Sequence, residues 1–155
     1  MCALIVCREL GLDVDELRRG LLSFEGVEHR LESAGSVKGV KFVNDSKSTN
    51  VDSTIKAVNA FGEKTYLILG GRDKNLDFCE LFAKMPPRVK KIALIGEAAE
   101  TIASFAQRKG FKRYCFCDGL ENAVRTLYAE ASAGDVILLS PACASFDSYR
   151  NFAER

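Results

Sequence analysis

The chain has 155 residues, 47% of them hydrophobic, with 22 Lys and Arg against 21 Asp and Glu. That fits one domain of ordinary size with enough apolar side chains for a core; the near-cancelling charge argues against a nucleic-acid binder, which carries a basic stripe. No apolar run approaches bilayer length, and the opening MCALIVCR is too short for a secretory signal, so the cytosol is the expected compartment.

Residues 2–9 and 14–23 read as two short helices parted by Gly11, with Asp13 and Glu16 spaced as an N-terminal capping pair. Residues 28–33 and 38–44 read as a strand pair turning at Gly35. From there strands and helices alternate. Val51 to Phe61 is helical, with Val51, Ile55, Val58 and Ala60 as its core side. Thr65 to Leu69 is an apolar strand, and Phe78 to Ala83 is a short helix stopped by Pro86-Pro87. A strand at 91–95, a helix at 98–109, a strand at 113–117, a helix at 122–131 and a strand at 136–140 follow, and a last helix begins at Asp147. The fold class is therefore α/β: a Rossmann-like, mostly parallel sheet with helices on both faces, preceded by two short helices.

Six cysteines are present, and in a cytosolic chain they are expected to be reduced. Cys115 and Cys117 form the one close pair, and with a single histidine in the chain no metal site is expected. Neither G-x-x-x-x-G-K-[ST] nor G-x-G-x-x-G occurs, so the chain has no phosphate-cradling P-loop and no dinucleotide fingerprint. Ser53 and Lys56 match S-x-x-K, but its companion motifs are missing and it lies in a helix pattern.

Parallel sheets bind ligands beyond the carboxyl ends of their strands, which selects loops 44–50, 70–74, 96–97, 118–119 and 140–147. In the first, Lys47, Ser46, Ser48, Thr49 and a helix N-terminus make an anion site, with Asp45 suited to a ribose hydroxyl or a metal-bound water. A capping loop built on Thr49 or Asn50 with a solvated Lys47 is the competing reading, and the residues alone leave both open. Gly70-Gly71 permits close backbone approach, placing Arg72 and Lys74 at the same edge; a polar turn is the alternative. In 140–147, small residues leave room for a ligand, and Ser145 with the next helix N-terminus would accept a carboxylate. Cys143 reads as a small buried cysteine rather than a nucleophile, because the one histidine is far off in the chain.

Four segments, GVEHRLE at 26–32, NDSKSTN at 44–50, LGGRDK at 69–74 and LSPACASFD at 139–147, resemble in order and spacing the D-glutamate-adding branch of the Mur ligase family. The resemblance covers essentially the whole chain. It implies a three-domain enzyme of bacterial cytoplasmic peptidoglycan synthesis and cell-wall biogenesis. That enzyme joins D-glutamate to UDP-N-acetylmuramoyl-L-alanine through an acyl phosphate, using ATP and Mg held mainly by a central domain. It further implies that residues 1–25 are the closing helices of that central domain. Residues 26–155 are then the C-terminal amino-acid-binding domain without the family's last helix.

By the same resemblance, Thr49, Lys74, Ser145 and Phe152 hold D-glutamate. Phe146 stands beside them where the family varies among apolar residues. Lys47 lies by the reacting groups as the catalytic cation, and His29, Arg30 and Asp45 face the nucleotide. Without a P-loop or the UDP-binding domain, the chain alone is expected to be inactive. A non-catalytic small-molecule-binding domain of Rossmann-like shape and a purely structural α/β module are the alternatives.

Overall fold

The structure is a computed structural model that describes residues 2–24 and 26–155. Met1, Glu25 and the side chain of Cys2 lie outside the described residues, and with them the outer ends of the expected N-terminal segment. Two helices come first, α1 (Cys2–Glu9) and α2 (Val14–Leu22). Asp13 caps α2 by accepting the Glu16 N–H at 2.8 Å while Glu16 Oε2 accepts the Asp13 N–H at 3.0 Å, the reciprocal box expected from the spacing.

The rest builds a six-stranded sheet. Its strands are β1 (Glu32–Val37), β2 (Val40–Asn44), β3 (Thr65–Gly70), β4 (Val89–Ile95), β5 (Tyr114–Phe116) and β6 (Val136–Leu139). The order is β1-β2-β6-β3-β4-β5, with β1 antiparallel to β2 and the other five strands parallel. Helices α3 (Val51–Asn59), α4 (Cys79–Ala83), α5 (Ala99–Arg108) and α6 (Leu120–Tyr128) supply the crossovers. Side chains alternate across each strand. Leu67, Leu69, Ile92, Leu94 and Leu138 meet α3, α4 and α5 on one face; Ile68, Ala93, Ile95 and Ile137 meet α6 on the other. Among the described residues no helix is long and apolar enough to cross a membrane.

Three details depart from the sequence reading. The hairpin turns at Lys38-Gly39, not at Gly35: both residues have positive φ (48° and 81°), the two-residue geometry that follows the strand twist. Gly35 (φ 107°) instead sits at a bulge in β1, and the serine-rich Glu32–Val37 hides its strand character because it is exposed along almost its whole length. On α3, Thr54 and Ala57 are buried beside Ile55 and Val58, whereas Ala60 is the exposed C-cap; Thr54 is tolerated inside because its hydroxyl reaches Ser140 O at 3.2 Å. From Asp147 onward the chain forms turns, not a helix. The Asn151 side chain there accepts the N–H groups of Ala153 and Glu154, and Ser46 takes the Phe152 carbonyl; these bonds compete with a helical ladder.

Cys143 is fully buried in the larger core cluster, and burial pushes its thiol up to about 12. At pH 8 the thiolate fraction is then on the order of 10⁻⁴, so iodoacetamide will label Cys143 only in unfolded protein; rapid labelling of the folded chain would contradict this packing. Leu67, fully buried in β3, will cost about 2–5 kcal/mol when replaced by Ala. Ala60→Ser, at an exposed helix end, will stay within about 0.5 kcal/mol of the unsubstituted chain, and urea titration of both variants measures the difference.

Candidate functional site

Five parallel strands send five loops to one edge of the sheet, and the polypeptide stitches three of them together. Asp45 N–H extends the β2–β6 ladder by donating to Leu139 O at 2.8 Å, and Gly70 N–H donates to Pro141 O at 2.9 Å. Arg72 N–H donates to Ala144 O at 2.8 Å. The glycines are required by this proximity. A Cβ on Gly70 would lie 1.9 Å from Ile95 O, and one on Gly71 would lie 2.3 Å from Ala144 O, each with φ in the positive region.

The loop after β2 is organised by side chains. Asn44 Oδ1 accepts the Ser46 N–H at 3.0 Å, so its amide nitrogen faces His29 Nδ1 at 2.9 Å and makes that ring nitrogen the acceptor. Asn50 caps α3 by accepting the Ser53 N–H at 2.9 Å. The capping reading of this loop is therefore met by Asn50, which leaves Lys47 and Thr49 to face outward, partly exposed. Asp45 is 3% exposed: Oδ1 accepts the Leu31 N–H at 3.3 Å, and Oδ2 accepts the Ser140 hydroxyl at 2.7 Å. Its charge is thus spent on holding the turn at 27–31 and the loop after β6. That turn carries His29 (φ 61°) and Leu31 (φ 47°) in the left-handed region, where non-glycine residues are uncommon, and Ala142 (φ 60°) does the same after β6.

The structure gathers His29, Lys47 and Phe152. The Lys47 ammonium stands 5.2 Å from the Phe152 ring centre, the His29 ring packs edge-on to it at 5.8 Å, and Lys47 N–H donates to His29 O. Lys74 Nζ lies 6.0 Å from the ring of the exposed Phe146. Ion pairs among the described residues engage Lys41, Lys56, Arg72, Lys84, Lys91 and Arg125, and leave Lys47 and Lys74 without a carboxylate partner there. The edge therefore offers two cations, each beside an aromatic ring, with Thr49 on one loop and the buried Ser145 on another. After Ser145 the chain closes a single turn, with the N–H groups of Ser148 and Tyr149 donating to its carbonyl, and it does not continue into the expected helix.

Arg30 and Asp45 line a hollow of about 200 Å³ with Ser48 and Lys56. A separate crevice of about 210 Å³ opens over the ends of β3, β4 and β5, lined by Gly71, Gly96, Asp118, Gly119, Asp147 and Arg155. Lys47, Thr49, Lys74 and Ser145 line neither; the first three stand on the open edge, and Ser145 is buried in the loop after β6. Sequence reasoning missed Arg155, which is 9% exposed and reaches back to Ser46 and Cys143. A basic residue after a polar run carries no signal of burial.

Comparison with known proteins identifies the family and the fold. The family described as Mur ligase, glutamate ligase domain, matches residues 29–143. The chain is 43% identical over its full length to a UDP-N-acetylmuramoylalanine–D-glutamate ligase of Desulfitobacterium hafniense strain Y51, covering 34% of that protein. It is 41% identical to the ligase of the same name in Clostridioides difficile strain 630, again covering 34%. The chain thus spans about a third of the length of these curated relatives. In fold it is similar to the UDP-N-acetylmuramate-alanine ligase MurC of Thermotoga maritima, with a TM-score of 0.67 at 16% identity over 90% of this chain and 32% of that one. It is also similar to a Mycobacterium tuberculosis folylpolyglutamate synthase complexed with ADP, with a TM-score of 0.62 at 17% identity over 86% of this chain and 34% of that one. The matched residues run from His29 to Cys143, well over half of the chain, and the chain therefore belongs to the Mur ligase, glutamate ligase domain family.

Proposed function

We propose that this chain is the amino-acid-binding part of an ATP-dependent amide ligase that adds D-glutamate to UDP-N-acetylmuramoyl-L-alanine in cytoplasmic peptidoglycan synthesis. The observation that carries the reading is the pair of lysines without carboxylate partners among the described residues, Lys47 and Lys74, on the loops after β2 and β3 that flank the β6 loop at one sheet edge. A dianionic amino acid needs cations and hydroxyl donors. Lys74, Thr49 and Ser145 supply them on this reading, and Phe152 and Phe146 flank the site with apolar surface. The full-length identity to ligases of that name supports the ligase over a non-catalytic binding domain.

In the reaction the terminal alanine carboxylate takes the γ-phosphoryl group of ATP, the amine of D-glutamate attacks the acyl phosphate, and phosphate leaves as the amide forms. Lys47, next to the strained turn, stabilises negative charge on the transferring oxygens or the tetrahedral intermediate. Arg30 and His29 face the nucleotide, with Asp45 behind them setting the turn. Among the described residues no three His, Cys, Asp or Glu side chains converge to hold an ion, and the chain carries no P-loop. The ATP phosphates and Mg are therefore assigned to the part of the longer relatives outside this chain, and the chain by itself is inactive on this reading. α1 and α2 fit an adjoining domain: Ile5, Val6, Leu10, Val14, Leu21 and Leu22 are exposed, an apolar surface of the kind that marks an interface.

In an enzyme that joins this chain to the remaining domains, Lys47→Ala and Lys74→Ala will each lower D-glutamate-dependent phosphate release by roughly 100-fold or more. The loss in Lys74→Ala will fall mainly on KM for D-glutamate, and steady-state assays with each substrate varied in turn measure both. Unchanged turnover in both variants would contradict the assignment. Ser145→Ala will raise KM for D-glutamate about tenfold, the effect of one hydrogen bond to a charged group, and leave KM for ATP in place.

A further inference from the structure

Arg155 joins three segments that meet at Ser46. Its Nε donates to Ser46 Oγ at 3.0 Å, and its Nη2 donates both to Ser46 O at 2.8 Å and to Cys143 O at 3.1 Å. The Ser46 hydroxyl, while accepting from Arg155, donates to Phe152 O at 2.7 Å. Lys47 is the next residue after Ser46, Ser145 lies two beyond Cys143, and the Phe152 ring stands beside the Lys47 ammonium. One guanidinium therefore ties the loop after β2 to the segment after β6, fixing the backbone beside Lys47 and Ser145.

The arrangement is costly, which separates it from ordinary packing. Arg155 has no carboxylate partner among the described residues, and burial pushes its guanidinium down from its usual value. Nη1 is buried without a hydrogen-bond partner and packs against Gly71, where a Cβ would come within 3.1 Å. An unpaired buried charge costs several kcal/mol. A planar fork with several donors in fixed directions holds two carbonyls and a hydroxyl at once, whereas an ammonium is a single point.

We propose that Arg155 is a positioning residue for the amino-acid site: by clamping Ser46 and Cys143, and through the Ser46 hydroxyl the Phe152 carbonyl, it sets Lys47 and Ser145 relative to one another and adds positive potential beneath a dianionic substrate. The proposal rests on the ligase reading above. It deepens that reading by assigning a residue that touches no reacting atom.

The test uses the full-length enzyme carrying Arg155→Met, Arg155→Lys or Ser46→Ala, with two readouts. In steady-state phosphate release, Arg155→Met raises KM for D-glutamate tenfold or more while KM for ATP and for the UDP-sugar move less than twofold. Arg155→Lys recovers part of that loss. Ser46→Ala gives the same selective rise, and combining it with Arg155→Met adds little, as expected of groups acting as one unit. In iodoacetamide labelling read by mass spectrometry, Arg155→Met speeds modification of Cys143 at least tenfold. Parallel rises in all three KM values, or full additivity of the two substitutions, would show a general structural role and overturn the proposal. So would unchanged labelling of Cys143. A wild-type enzyme that releases no phosphate in response to D-glutamate overturns the ligase reading and the amino-acid part of this inference with it, and the labelling result then decides the clamp alone.

Discussion

Strand β6 lies between β2 and β3, and the geometry of the site depends on that insertion. Val136 to Leu139 is buried residue by residue and pairs in parallel with both neighbours. Leu139 faces Asn44 on one side and Ile68 on the other. The loops that leave β2, β3 and β6 therefore start at the same height, about one strand spacing apart. Each is then bonded to the next through its backbone, from Asp45 to Leu139 and from Gly70 to Pro141. A chain that placed β6 at the sheet edge would have the same motifs and no common site.

The polar groups at this edge divide by task. Asp45, Ser140, Thr54, Ser46 and Arg155 are buried and bond to one another or to backbone. Lys47, Lys74 and Thr49 stand further out. Buried polar side chains lower stability unless satisfied, and three non-glycine residues here hold positive φ, at roughly 1–3 kcal/mol each. The hydrophobic contacts of the two faces of the sheet offset these costs, so the framework is stable while its edge is held in one shape.

Much of this was readable from the residues. Apolar runs such as TYLIL and KIALI mark buried parallel strands, because both faces of such a sheet are covered, and the strand-end rule then picked out the loops that converge. The edge hairpin was misplaced by position, since Gly35 offered a turn signal and Lys38-Gly39 a weaker one. β1, exposed and rich in serine, has no buried face to impose alternation. That two donors, Leu31 N–H and the Ser140 hydroxyl, meet the Asp45 carboxylate was not legible, because both lie far from it in the chain. Arg155 was invisible for the same reason: its partners are two carbonyls and a hydroxyl on loops more than ten and more than a hundred residues away, and long-range polar contacts leave no local pattern. Lys47, Thr49, Lys74 and Ser145 were singled out by the family resemblance, and the fold brings the loops after β2, β6 and β3 that carry them to one edge of the sheet.

The most direct measurement is a crystal structure of the full-length enzyme with D-glutamate bound. The account predicts the two carboxylates on the open edge, within hydrogen-bond distance of Lys74, Thr49 and Ser145, with the amine directed toward Lys47. D-glutamate found instead in the crevice over β3, β4 and β5, among Gly96, Asp118 and Gly119, would contradict it.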